Sequence, residues 1–206
     1  MKRIHLTALL LALLLLLVGC TTKFERDGDG YGFTNKKTDV HYTVLASNFE
    51  AAAQGEQIGE HVDEKFDYTT LFYEIPGLDA DRFVADGDGQ VYCADDTLPN
   101  AAELTVSSVL VCDEDEISIA LARWTEAKTV SAVRDAWFSG EAAELPFGAH
   151  ATFYRLKLTF AEYPGIYYCF GFYAYADGSA YFYDIGTARS VACPAEITAL
   201  LVGSPE

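Results

Sequence analysis

The chain has 206 residues, half of them hydrophobic, and 31 acidic side chains against 14 basic ones give it a net charge of −17. That apolar content excludes a disordered tail, and that charge argues against nucleic acid or an anionic lipid surface as a partner of the acidic bulk of the chain. The length suits one ordinary domain with a core large enough to fold without a metal or disulfide staple.

Lys2 and Arg3 precede an apolar run from Ile4 to Val18, which ends at Gly19-Cys20. A run of about 15 residues is short for a membrane-spanning helix, which needs roughly 20, and right for the apolar region of an export leader. Leu17-Val18-Gly19-Cys20 resembles the lipobox of bacterial lipoproteins. The resemblance implies cleavage between Gly19 and Cys20 and a diacylglyceryl thioether on the Cys20 sulfur. It also implies a membrane partner, held through that lipid at the outer, extracytoplasmic face of the cell membrane. Ordinary leader cleavage wants small residues at the third and first positions before the cut, and Leu17 fits the lipobox better. The expected organisation is a leader over residues 1–19, a short polar tether over 20–30, and a single globular domain over 31–206.

Beyond the tether, Tyr31 and Phe33 alternate, a turn follows at Asn35 to Asp39, and His41 to Leu45 reads as the returning strand. Residues 47–63 are polar and Gly-containing, with a helical turn expected near Phe49 to Ala53. Tyr68 to Ile75 reads as a strand stopped by Pro76-Gly77. Arg82 to Ala85 and Gln90 to Cys93 form a hairpin about Asp86-Gly87-Asp88-Gly89. A short helical or irregular piece runs from Pro99 to Glu103. Strands are expected at Val106 to Cys112 and Ile117 to Trp124, around an acidic turn from Asp113 to Glu116. Apolar residues at helical spacing predict one good helix from Thr125, as N-cap, to Ser139, with Gly140 closing it. Thr152 to Phe160 alternates, and Ile166 to Ala176 with Ser179 to Ile185 forms the strongest hairpin in the chain. Arg189 to Cys193 is a further strand, and Pro194 opens a C-terminal helix over Ala195 to Val202. The fold class expected is α+β: a mostly antiparallel β-sheet with one central helix and a short C-terminal helix.

Few residues point to chemistry. Cys93, Cys112, Cys169 and Cys193 allow three disulfide pairings or four buried thiols, and an extracytoplasmic setting permits either. The Asp-Gly stretches at 27–30 and 86–89 fail the calcium-loop spacing, because Tyr31 and Gln90 stand where a fifth-position ligand belongs. They read as turns, and no motif requires a metal or cofactor. His41, His61 and His150 lack a second ligand at helical spacing, and no nucleophile elbow, Walker loop or dinucleotide fingerprint is present.

The unusual feature is the aromatic hairpin. Alternation puts Tyr168, Phe170 and Phe172 on one face and Tyr167, Tyr173 and Tyr175 on the other, with Tyr181 and Tyr183 able to join the latter from the partner strand. That face is either half-covered by the helix from Thr125 to Ser139, the commoner arrangement, or an exposed ribbon; tyrosine suits a boundary where the ring is buried and the hydroxyl is wet. Tyr167, Tyr173, Tyr175, Tyr181 and Tyr183 are therefore the candidate ligand face, for a protein, peptide or glycan of neutral or cationic character. The function expected is a non-enzymatic binding or envelope-interaction module on a lipid anchor. The alternative is an envelope hydrolase whose site assembles from distant residues.

Overall fold

A computed structural model describes residues 22–28, 30–94, 100–113, 119–184 and 186–203. The leader, the lipobox, Cys20 and most of the acidic turn after Asp113 lie outside the described residues. Among the described residues the fold is mostly strand with two α-helices, in the α+β class. It has two parts.

The first part runs through eight strands: β1 (Thr22–Arg26), β2 (Gly32–Asn35), β3 (His41–Val44), β4 (Phe49–Ala51), β5 (Gln57–Asp63), β6 (Tyr68–Glu74), β7 (Phe83–Asp86) and β8 (Val91–Cys93). All but β4 close into a seven-stranded barrel in the order β1-β2-β3-β8-β7-β6-β5. Strand direction reverses at every antiparallel pair, so a closed ring needs an even number of reversals. Seven strands therefore require at least one parallel pair, and β1 with β5 supplies it. The barrel is filled by rings. Phe24 stacks on Phe72 at 4.3 Å, while Phe33 meets Phe72 edge-on at 4.8 Å and Tyr92 at 5.6 Å. Tyr42 closes the interior and satisfies its hydroxyl by donating to the Ala80 carbonyl at 2.8 Å.

The second part is a sheet ordered β10-β9-β11-β12-β13-β14, from β9 (Val106–Cys112), β10 (Ala120–Trp124), β11 (Thr152–Phe160), β12 (Ile166–Ala174), β13 (Ala180–Asp184) and β14 (Arg189–Ala192). Helix α1 (Ala127–Ser139) lies on one face through Val130, Val133 and Trp137, whose indole stacks on Phe170 at 4.5 Å. Helix α2 (Ala195–Val202) adds Ile197 to the same core. A third cluster joins the two parts: Ile75, Phe83, Ala85, Val91 and Cys93 on the outside of the barrel pack with Ala51 and Ile166. Strands β7 and β8 are consequently buried on both faces.

The structure departs from expectation in several places, among them β5, a strand within the polar stretch 47–63. The first sheet is a closed barrel rather than part of an open antiparallel sheet, because ring closure depends on the long-range β1–β5 and β3–β8 pairings. Thr22–Arg26, expected within the tether, is β1, and only Phe24 of its five residues is buried, so it shows no alternation. Phe49–Ala51 is a strand rather than a helical turn, since β12 pairs with it at Ile166, Tyr167 and Tyr168; tertiary pairing overrides an alanine-rich local preference. Helix α1 begins at Ala127 with Glu126, not Thr125, at the cap position. Gly140 closes α1 with φ of −67° rather than a left-handed turn; a Cβ there would lie 2.2 Å from the Ala136 carbonyl oxygen. The Asp-Gly turn from Asp86 to Gly89 does form as read. The Asp86 carboxylate accepts the Asp88 and Gln90 amides, and Gly89 takes φ of +84°.

Candidate functional site

The site is laid out by the register of β12. One edge of β12 pairs with β11 throughout, while the other is shared end to end by β4, over Ile166 to Tyr168, and β13, over Gly171 to Ala174. At the split the Asn48 carbonyl accepts the Cys169 amide at 2.7 Å. Successive cross-strand rows then fall on the face opposite α1. Phe153, Tyr173 and Tyr181 form one row; Arg155, Gly171 and Tyr183 the next; Lys157 and Cys169 follow; Thr159, Tyr167 and Glu50 make the last.

All five candidate tyrosines lie on this helix-free face and each is partly exposed. Four gather together. Tyr173 meets Tyr183 edge-on at 5.5 Å and Tyr175 meets Tyr181 at 5.9 Å. Phe153 and His150 extend the group, at 4.9 Å and 4.6 Å from Tyr173. Tyr167 stands apart, roughly 20 Å along β12 from Tyr173 at about 3.3 Å per residue. Its ring lies under the Lys157 ammonium at 5.3 Å.

Between the tyrosine cluster and the split is a depression of about 280 Å³, lined by Arg155, Tyr173, Tyr183, Asn48 and Asp184 with Gly171 at its base. A Cβ on Gly171 would lie 3.0 Å from the Phe153 ring and 3.1 Å from the Tyr173 ring. The missing side chain makes the hollow, a use of strand glycine that admits another group close to the backbone. The Asp184 carboxylate is buried and engaged, accepting the Gly186 amide at 2.9 Å and the Thr187 hydroxyl at 2.8 Å. Phe153 and Arg155 were legible as one face of an alternating strand. Asn48, Glu50 and Asp184 carried no such signal; Glu50 enters from β4 and Asn48 from just before it, more than a hundred residues earlier in the chain than Lys157 and Asp184.

Beside the hollow is an ion cluster. Glu50 accepts Lys157 on Oε1 at 2.5 Å and Arg155 on Oε2 at 2.8 Å. The Lys157 side chain is 7% exposed, so its charge depends on that carboxylate. The Cys169 thiol donates to Glu50 Oε2 at 3.5 Å. Burial first, and the Glu50 charge second, push the Cys169 thiol up to about 12. It therefore stays protonated and is a poor nucleophile. Burial likewise raises Cys112, and it raises Cys193 to about 12. Cys112, Cys169 and Cys193 are free thiols.

The histidines do not assemble a relay. His41 Nε2 meets Asp27 Oδ2 at 2.6 Å, and Thr34 donates to the other Asp27 oxygen at 3.5 Å. Asp27 thus stands between the histidine and the hydroxyl, whereas a nucleophilic triad needs the histidine in the middle. His61 Nδ1 is fixed on the Phe24 carbonyl at 3.0 Å. Among the described residues, no three His, Cys, Asp or Glu side chains are placed to share a metal ion, and no helix is long and apolar enough to cross a membrane.

No protein family, curated protein or solved structure matches this chain. Its chemistry is read from its own residues. The helix-free face offers flat rings with hydroxyls, an engaged guanidinium and a small hollow.

Proposed function

We propose that this chain is a lipid-anchored extracytoplasmic lipoprotein that binds a neutral or cationic partner through the tyrosine face of β12 and β13. The anchor is Cys20, on the strength of the lipobox that precedes it. The observation that carries the binding role is the clustering of Tyr173, Tyr175, Tyr181 and Tyr183, all partly exposed, beside a hollow based on Gly171. Rings of this kind supply contact area at low cost in side-chain entropy and keep a hydroxyl for hydrogen bonding. The core of the sheet is on the other side, under α1, so these rings are not part of it. Arg155 lines the hollow already paired to Glu50, and the surrounding chain is strongly acidic, which disfavours anionic partners.

Two measurements test the reading separately. Metabolic labelling with palmitate should mark the wild type and not Cys20→Ser; equal labelling removes the anchor. Affinity capture from native membranes should retrieve a partner with the wild type and lose it with Tyr173→Ala and Tyr181→Ala, both with unchanged circular dichroism. Retention by both variants removes the tyrosine face.

A further inference from the structure

The barrel has an open end that none of the foregoing uses. It is formed by the ends of β1, β3, β5 and β7 and the starts of β2 and β6. Phe33 and Tyr92 close its floor, and the space above them is about 380 Å³, toward the small end of the roughly 300–1,000 Å³ typical of ligand pockets. Six side chains give it character. Tyr31 and Tyr68, 68% and 56% exposed, are the aromatic residues of its wall. Asp86, only 9% exposed, presents a carboxylate whose Oδ2 takes the Tyr92 hydroxyl at 3.1 Å. Gln90 spends its amide hydrogens on the Leu45 and Val91 carbonyls, leaving its oxygen as an acceptor. A carbonyl can only accept, so His61 Nδ1 carries the hydrogen bonded to Phe24, and Nε2 of the neutral ring is an acceptor. Arg26 lies over the Phe33 ring at 5.9 Å and donates to the Gly30 carbonyl, with donors left over.

From this arrangement we infer that the barrel mouth is a binding site for a pyranose ring, a single sugar or the end of a glycan. An anion would face the carboxylates of Asp63 and Asp86. A cation would sit beside the Arg26 guanidinium. A neutral polyol meets neither conflict. Its hydroxyls donate to Asp86, Gln90 and His61 and accept from Arg26, while its C–H face lies on an exposed tyrosine ring. The volume accommodates such a ring. The mouth is also turned away from the start of the barrel: Thr22 lies at the opposite end of β1, roughly 13 Å away at about 3.3 Å per residue. A chain held at residue 20 therefore presents this end outward, a point that rests on the anchor proposed above; the pocket chemistry does not.

Saturation-transfer difference NMR on the full chain in detergent micelles, with glucose, galactose and N-acetylglucosamine as probes, tests the site. At least one probe should show transfer, strongest on the ring C–H protons of one sugar face. Tyr68→Ala and Asp86→Asn should weaken that binding about tenfold or more, and Tyr173→Ala should leave it intact. If Asp86→Asn does not fold, Tyr68→Ala decides alone, because that side chain is mostly in solvent. No transfer from any of the probes overturns the site, as does transfer that Tyr68→Ala leaves unchanged. Transfer lost in Tyr173→Ala but kept in Tyr68→Ala moves the sugar to the tyrosine face and overturns the mouth while sparing the proposed function.

Discussion

The barrel and the sheet solve the same burial problem differently. The barrel closes on itself, so each short strand needs only one or two inward side chains, and rings as large as Phe24, Phe33, Phe72 and Tyr92 fill the space with few residues. The sheet stays open. It buries one face under α1 and α2 with long alternating strands, and this leaves its second face free for tyrosines, an ion cluster and a hollow. Closure conserves apolar residues and leaves only the barrel ends for ligands; an open sheet needs more apolar residues and gains a whole face. The cluster of Ile75, Phe83, Val91 and Ile166 makes the two halves one packed body.

The largest expected effect tests that unity. Phe72→Ala empties the centre of the barrel and Trp137→Ala the centre of the sheet core; each should cost about 3–5 kcal/mol. Both should melt the whole chain in one calorimetric transition. Two separate transitions in Phe72→Ala would show that barrel and sheet stand independently.

Next in size is Glu50→Gln, expected to cost about 2–3 kcal/mol in urea unfolding because it strands the buried Lys157 charge. Adding Lys157→Met should restore most of the loss, since it removes the buried charge that the amide cannot balance. If the double variant is no more stable than the single, the cluster does not act through charge.

A single substitution made in both halves sharpens the contrast. Gly59→Ala sets a Cβ 2.3 Å from the Phe24 ring and 2.7 Å from the Thr22 carbonyl oxygen inside a closed barrel. It should cost about 1–3 kcal/mol by overpacking. Gly171→Ala meets two ring edges at 3.0 and 3.1 Å on an open face, where the rings can swing outward, and the Tyr183 carbonyl oxygen only at an ordinary 3.4 Å; its cost should stay below about 1 kcal/mol. Equal costs would erase the distinction between closed and open packing.

The smallest effect is alkaline. Cys169, Cys193 and Tyr42 titrate near 12 in the fold, above their ordinary values of 9 and 10, with burial the leading cause. The folded chain holds these protons longer than the unfolded chain, so their contribution is full below the ordinary values and is lost as pH rises from there toward 12. The buried Cys169 should contribute about 1 kcal/mol of that loss near pH 10. Urea midpoints across pH 7 to 11, with Cys169→Ala as control, measure it. A flat profile would show that the thiol ionises freely in the fold.

By itself the sequence determined the elements whose signal is local. The aromatic hairpin, the Trp137 helix and the Asp-Gly turn from Asp86 to Gly89 were legible because periodicity and turn chemistry act between neighbours in the chain. That Tyr167 and Tyr173 share a face followed from alternation alone, while the register of β11 and β13 brought Phe153 and Tyr181 beside Tyr173. Tertiary structure decided the rest. In β1 one inward Phe24 suffices, and in β5 Gly59 gives way to that same ring, so the barrel strands hide their apolar pattern in a shared side chain. Glu50 reaches Lys157 and Arg155 only because a three-residue strand docks on β12. The mouth of the barrel joins Arg26, His61, Asp86 and Gln90 from separate strands. Ring closure and long-range pairing depend on the free energy of the whole assembled core, and no window of the chain contains that quantity.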